Sequence, residues 1–450
     1  MYIDILIKSV IIYNIIILYI IFMNIEFLLS AKFNRALPTK DRLFKSIVSS
    51  LNEVNINPLV MLSEYSILDE EKSSTLIYSF HPSADPVYFE YKEGTLYVTI
   101  NSGIFGAGYH RFIISVLGRI STRLDIVFEE DKTYKDYSGY FKEKNFDKLK
   151  NFFAAALNEY SESLLANEEF TNFMISMPYD YPMIEKEYYA LSPLGYWGKS
   201  WFNNLINAPL ENKYNFAREF FIWNDEEINA DFWFKSLNSI IWLYFPFREI
   251  IDDKERDTYK KIIYCFQEAY KKDKNLPYPW KILSDIAYYL DDDNLAKFIE
   301  SNKKNNIQMT NTDIGFRKEY ARYSIAGGFN ISLPMSFNIY RDDKTLVEFK
   351  NIYTYIAMQV YSFANEEIDA IMEYVIKQMD VTKEDKGELT DIKIKGIKSA
   401  VYKKSIDNDD YVFTVVAVSK SLALLAWFTY NGKENEELCI EAIKSISIDN

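Results

Sequence analysis

Two histidines and two cysteines are the whole supply of imidazole and thiol in this 450-residue chain. The richest local pattern lies around one of them, Gly103-Ile-Phe-Gly-Ala-Gly-Tyr-His110, between an expected strand and an expected helix. Backbone N–H groups at Gly103, Gly106 and Gly108, together with the helix start, could close around an anion, with Tyr109 and His110 at its rim. His110 would sit in the first helical turn, where a neutral imidazole is favoured over a charged one. The spacing matches neither the dinucleotide fingerprint nor a Walker A loop. A plainer reading gives the glycines a conformational task, a tight strand-to-helix turn with φ > 0.

His81 closes an expected strand in Phe80-His-Pro-Ser83. Ser83, Ser102 or Asp125 could complete a Ser–His–Asp set with either histidine, yet no nucleophile elbow accompanies them. A hydrogen-bonded structural histidine is the simpler expectation. Cys265 and Cys439 lie far apart in apolar helical contexts, so reduced, buried thiols are expected and a disulfide framework is not. With so few imidazoles and thiols, no zinc site is expected either. Gly198-Lys-Ser200 resembles the end of a phosphate-binding loop, but Pro193 stands where that motif requires its first Gly, and no strand is expected before it. Glu226-Glu227, Asp252-Asp253 and Asp409-Asp410 lack the Gly and the spacing of a calcium loop, and read as solvated. No cofactor is implied.

Five of the seven tryptophans fall between Trp197 and Trp242. Trp197, Trp201 and Trp223 could line an aromatic groove for a carbohydrate or peptide. The competing reading places the cluster in a core, as Phe232-Trp-Phe234 within an apolar stretch suggests.

Acidic residues outnumber basic ones 65 to 51, a net charge of −14, which repels phosphate backbones. Lysines between Lys132 and Lys150 are interleaved with carboxylates and form no basic stripe, so nucleic acid is not an expected partner. Hydrophobic content of 48% and charged content of 26% are those of a globular chain.

The first 22 residues are an apolar leader with two readings. The uncharged run Ser9–Ile25 approaches the roughly 17 to 20 residues a bilayer-spanning helix needs. Alternatively translation starts at Met23, which opens a strand, and residues 1–22 derive from upstream DNA. A membrane partner is expected only if residues 1–22 are real. Lys32, Arg35, Lys40, Arg42 and Lys45 follow the run and only Lys8 precedes it, which keeps the body in the cytoplasm on either reading.

Residues 23–165 read as an N-terminal α/β domain, and periodicity gives the following elements. A helix after Thr39 carries Leu43, Phe44, Ile47, Val48 and Leu51 on one face. Strands are expected at 75–80, 87–91, 95–101 and 124–129, with a hairpin at Glu93-Gly94 and helices over 109–120 and 146–164. Residues 166–319 form an aromatic-rich, largely helical or irregular middle. It has one helix through Tyr259–Phe266 and another from Pro279, with Asp291-Asp-Asp293 in a loop beyond that helix. Residues 320–450 return to α/β. Strands are expected at 330–333, 346–349, 355–361, 391–395 and 399–403, then a hairpin of 411–419 with 422–429. A helix capped by Asn365 runs to Met379 and another covers 434–446. The fold class is α+β, two α/β sandwich-type domains with antiparallel or mixed sheets around that middle.

Within residues 320–450, Gly327-Gly-Phe-Asn-Ile-Ser-Leu-Pro334 is followed by strands, by Gly396 before another strand, by the long hairpin and by a helix ending Ala442-Ile-Lys-Ser-Ile446. This arrangement resembles the DcrB/PsbP-like α/β/α sandwich. The resemblance covers the last 130 or so residues. It implies a non-catalytic accessory or binding domain and transfers no site residue.

Together these features point to a protein-binding or accessory protein, immunity-like or adaptor, whose partner is another protein. An enzyme working through Gly103–His110 and a membrane-anchored cytoplasmic scaffold are the alternatives. Intact-mass measurement on the native protein decides the leader. A species retaining residues 1–22 rules out a start at Met23.

Overall fold

The computed structural model describes residues 25–34, 38–69, 73–166, 173–177, 189–246, 248–303, 320–334, 336–341, 346–364, 367–378, 387–407 and 409–449. The apolar leader, Asn365 and Met379 lie outside the described residues.

The N-terminal part comprises β1 (Glu26–Phe33), α1 (Lys40–Leu51), β2 (Glu64–Asp69), β3 (Ser73–Ser79), β4 (Val87–Lys92), β5 (Thr95–Asn101), α2 (Ala107–Leu124), β6 (Ile126–Glu130), α3 (Tyr140–Glu143) and α4 (Phe146–Ala166). Its strands form one antiparallel sheet in the order β2-β3-β4-β5-β1-β6. Alternation sets the buried face: Leu76 and Tyr78 on β3, Leu96 and Val98 on β5, and Phe27 and Leu29 on β1 are all buried. The β4–β5 hairpin turns on Glu93 and Gly94, both at positive φ (51° and 78°), as a two-residue turn matched to strand twist requires. Strand β2, absent from the sequence-based expectation, is the sheet edge, and all six of its residues are exposed.

The middle holds the short strands β7 (Phe173–Met174), β8 (Ala190–Ser192) and β9 (Gly195–Trp197), then helices α5 (Lys199–Asn207), α6 (Leu210–Phe220), α7 (Ala230–Tyr244), α8 (Asp253–Lys272), α9 (Trp280–Tyr289) and α10 (Asp293–Asn302). Periodicity found α8 and α9 and missed the others. Helix α7 escapes a period argument because it is buried nearly all round, from Phe232 to Leu243. Asp291 and Asp292 lie in the loop beyond α9, as expected, and Asp293 is already the first residue of the next helix, α10. Asp291 takes a left-handed conformation, and Asp292 caps α10 by accepting from the N–H groups of Asn294 and Leu295. These carboxylates begin a helix, where the dipole favours them.

The C-terminal part runs β10 (Tyr320–Ser324), β11 (Phe329–Pro334), β12 (Asn338–Arg341), β13 (Leu346–Lys350), β14 (Thr354–Ser362), α11 (Ile368–Gln378), β15 (Glu388–Leu389), β16 (Lys398–Asp407), β17 (Asp410–Ser419), β18 (Leu422–Asn431), α12 (Glu436–Ser445) and β19 (Ser447–Ile448). A seven-stranded antiparallel sheet has the order β12-β13-β14-β18-β17-β16-β15. Helix α12 and the small sheet β10-β11-β19 share a core with one face of it, and α11 packs on the other. The expected strand at 391–395 is not formed. Ile394 and Ile397 bury as anchors of an irregular segment, which the same apolar alternation allows.

The chain is thus α+β. One continuous apolar core runs from Phe27 to Ile299, joining the sheet of the N-terminal part to the middle helices, and residues 320–449 have separate cores. Among the described residues no helix is long and apolar enough to cross a membrane.

Arg248 connects the helical middle to the C-terminal part. It is 8% exposed, donates to both oxygens of Glu255 at 2.8 and 2.5 Å, and reaches the Ser336 carbonyl at 2.6 Å and the Asn338 side chain at 2.5 Å. Removing one member of such a buried pair strands the other's charge. Arg248→Ala should therefore lower unfolding free energy by about 3 kcal/mol, measured by urea denaturation. Arg248→Lys, lacking the planar fork, should restore only part of it.

Candidate functional site

The glycine loop before α2 is filled by protein. Gly106 has φ 113°, and a Cβ there would lie 2.4 Å from the Trp223 carbonyl oxygen. At Gly108 the obstacle is the Trp223 indole, 2.2 Å from such a Cβ. The Gly108 N–H, which an anion would need, donates to the Trp223 carbonyl at 3.0 Å, and the Trp223 N–H donates to the Phe105 carbonyl at 2.9 Å. Gly103 donates to the Asn101 side chain, and buried Tyr109 donates to the Asp85 carbonyl. The loop that could have closed around an anion holds the 221–225 segment against α2. Only Gly106 supplies positive φ there, while Gly108 is required for closeness.

His110 does join a Ser–His–Asp set, with Asp136 rather than Asp125 as the acid. Its Nδ1 lies 2.7 Å from Ser102 Oγ, and its Nε2 lies 3.3 Å from Asp136 Oδ2 and 3.4 Å from Ser138 Oγ. Asp125 is instead the left-handed cap of α2 and accepts from Asn34. Burial alone would push the Asp136 carboxyl up. The His110 ring, the Ser138 hydroxyl and the Phe141 N–H together outweigh it and hold the carboxyl at about 2. His110 is fully buried, and Ser102 and Asp136 are 1% and 4% exposed. Phe27, Tyr140 and Phe153 pack around the ring. A nucleophile needs access to its substrate, so this constellation ties β5, α2 and the 136–141 turn together and does not present a reacting atom.

His81 is buried as well. Its Nδ1 accepts from the Ser83 N–H at 3.0 Å, and its ring packs between Phe105 and Phe232. Burial, helped by the charge of Lys261, depresses the ring to about 3, so it is neutral in the folded protein. Ser83 turns away to hydrogen-bond Ser239.

The three tryptophans proposed for a groove form no open platform. Trp223 is 2% and Trp197 8% exposed, and half-buried Trp201 stacks on Phe220 and donates to Glu219. Gly198 caps α5 directly after β9, so a strand does precede it. That strand is one arm of a three-residue hairpin. Cys265 and Cys439 are free and buried, and burial raises both thiols, Cys439 to about 12. Among the described residues no group of three His, Cys, Asp or Glu side chains could hold a metal.

Among the described residues three accessible surfaces stand out, none legible from the sequence alone. A cavity of about 520 Å³ opens between α1 and the end of α2, and another of about 450 Å³ lies between α8 and α10 beside Tyr270 and Phe298. The third is the face of the seven-stranded sheet that α11 covers only in part. One cross-strand row there reads Tyr340, Glu348, Ala357, Trp427, Thr414, Tyr402. Tyr355 and Tyr361 stand on the same face of β14, two residues to either side of Ala357 and Gln359. Tyr340, Tyr355 and Tyr361 are 49, 37 and 39% exposed, and Trp427 is half-buried at the margin of the α11 contact.

No protein-family model and no curated protein matches the chain. Among solved structures it is similar to a protein from Bacteroides thetaiotaomicron VPI-5482, at 14% identity and a TM-score of 0.24. The match covers 30% of this chain and 49% of that one, a likeness too slight to define a shared fold.

Two outcomes follow for the buried polar groups. Overpacking against Trp223 makes Gly108→Ala cost about 3 kcal/mol, at the upper end for added core volume, read as a lower urea midpoint. Acid sensitivity comes from His81 and Asp136. Unfolded His81 titrates near about 6.5 and the folded ring near 3, so between them only the unfolded chain takes the proton. Stability from His81 is complete above about 6.5 and drains away as pH falls toward 3, on the order of 5 kcal/mol in all. Asp136 adds a smaller loss, from about 4 down to 2, because its depressed carboxyl must finally protonate. His81→Asn, which keeps an acceptor for Ser83, should flatten the dependence of the urea midpoint between pH 6.5 and 4. An unchanged slope would show that His81 is not the group.

Proposed function

We propose that this chain is a non-catalytic binding or accessory protein whose partner is another protein, engaged through the open face of the C-terminal sheet. The observation that carries this reading is the exposed tyrosine row around Trp427. Tyrosine and tryptophan offer large, rigid contact area with a polar tip, and they are enriched where proteins meet proteins. The sealed Ser102–His110–Asp136 set supports the same reading from the other side, since those three side chains are out of a substrate's reach.

Helices on both faces of the sheet are the layering that the DcrB/PsbP-like resemblance implies, and an accessory role fits that superfamily. An immunity-like or adaptor protein in the cytoplasm is the specific form we favour, on the basic flank after residue 30 and the acidic, motif-poor body.

Tyr340→Ser combined with Tyr355→Ser tests this. Both side chains are exposed, so the thermal midpoint should stay within about 2 °C, as for ordinary surface changes. Affinity capture from the native host should return one stoichiometric protein with the wild type and lose it with the double variant. Equal recovery by both proteins would overturn the assignment of this face.

A further inference from the structure

We infer that the cavity between α1 and the C-terminal turn of α2 is a binding site for a small soluble molecule carrying a phosphate or diphosphate group. Arg42, Lys45 and Ser49 lie along one stripe of α1 at helical spacing, and all line this cavity of about 520 Å³. Arg123, from the last turn of α2, closes it from the other side. The α1–α2 packing that builds the sheet's buried face thus brings three cations to one concavity, in a chain whose net charge is −14.

Of the three cations at this cavity, two are not tied up by a carboxylate among the described residues. Lys32, Lys40, Lys142 and Lys148 of the same part each hold a carboxylate, on Glu129, Asp69, Glu130 and Glu143 respectively. Arg123 is paired with Glu53 at 2.5 Å. Among the described residues Arg42 and Lys45 bind no carboxylate, so their charge is available to a ligand. The Thr39 and Ser49 hydroxyls on the same wall complete a donor set suited to oxyanion oxygens, and charge-assisted hydrogen bonds of this kind are the strong ones. Asp41 also lines the cavity. A carboxylate there repels a second, distant anionic group and favours a ligand whose charge is concentrated at one end. A volume within the range of small-molecule sites, and a net charge that repels long polyanions, select a small phosphorylated compound over nucleic acid.

This site is independent of the C-terminal tyrosine face, so either assignment can fail alone. Calorimetric titration of the full chain with inorganic pyrophosphate at fixed ionic strength is the test. Saturable one-to-one binding is expected, weakened about tenfold by Arg42→Ala and abolished by Arg42→Ala with Lys45→Ala. Lys260→Ala, on an exposed face of α8, should bind as the wild type does, and so should the Tyr340→Ser/Tyr355→Ser protein. Circular dichroism and thermal midpoints confirm that the cavity variants fold, as expected for exposed positions. Heats that NaCl reproduces, or equal binding by the double variant, overturn the proposal. So does sedimentation with phosphatidic acid vesicles in the absence of any pyrophosphate binding, because the phosphate would then be lipid-borne.

Discussion

The insertion of Trp223 against Gly106 and Gly108 is the contact on which the first three hundred residues depend. Its backbone pairs with Phe105 and Gly108 in both directions, and its ring lies 5.3 Å from Phe112 and 4.6 Å from Phe232. One side chain therefore locks the start of α2, which covers the sheet, to α7, the most buried helix of the middle. Its indole N–H lies buried with no hydrogen-bond partner among the described residues, a cost on the order of 1–3 kcal/mol. The ring's apolar contacts with Phe112 and Phe232 offset that cost. The single core from Phe27 to Ile299 is the result.

Burial decides the meaning of the polar groups inside that core. Ser102, His110 and Asp136 are the residue types of a hydrolase, within hydrogen-bonding reach of one another, and the ring nitrogen facing the serine is Nδ1. Sealed from solvent, the same atoms satisfy each other and fix the 136–141 turn, where Asp136 also accepts from Ser138 and Phe141. Residue type and proximity are not enough for catalysis; a reacting atom needs a path to a substrate. What the interior withholds, the surface supplies: the tyrosine row and the α1–α2 cavity are both reachable.

The sequence revealed the regular elements wherever one face is buried and the other wet. Helix α1 shows its Leu43, Phe44, Ile47, Leu51 stripe, and β5 alternates cleanly, because each faces water on one side. Helix α7 and the edge strand β2 break that premise from opposite directions, one nearly all buried and one wholly exposed. The same limit applied to the sites. A turn glycine and a glycine needed for close approach look identical in a string of residues, and only the position of Trp223, more than a hundred residues later, tells them apart. Asp136 was equally out of reach, because nothing local links it to His110. The tyrosine row is spread over six strands and appears only once their register is known.

Separate cores for residues 320–449 give the molecule more than one cooperative unit. Heat or denaturant then acts on each unit at its own threshold, so the midpoint that Gly108 and His81 govern is that of the larger unit, and the one that the tyrosine variants test is that of the C-terminal unit. Polar links such as that of Arg248 couple the units without merging them. A partner seated on the tyrosine row would, by mass action, stabilise the unit that carries it and leave the Trp223-centred unit nearly unaffected. The chain can therefore have its C-terminal part reinforced by association while the larger, aromatic core sets its own stability by packing alone.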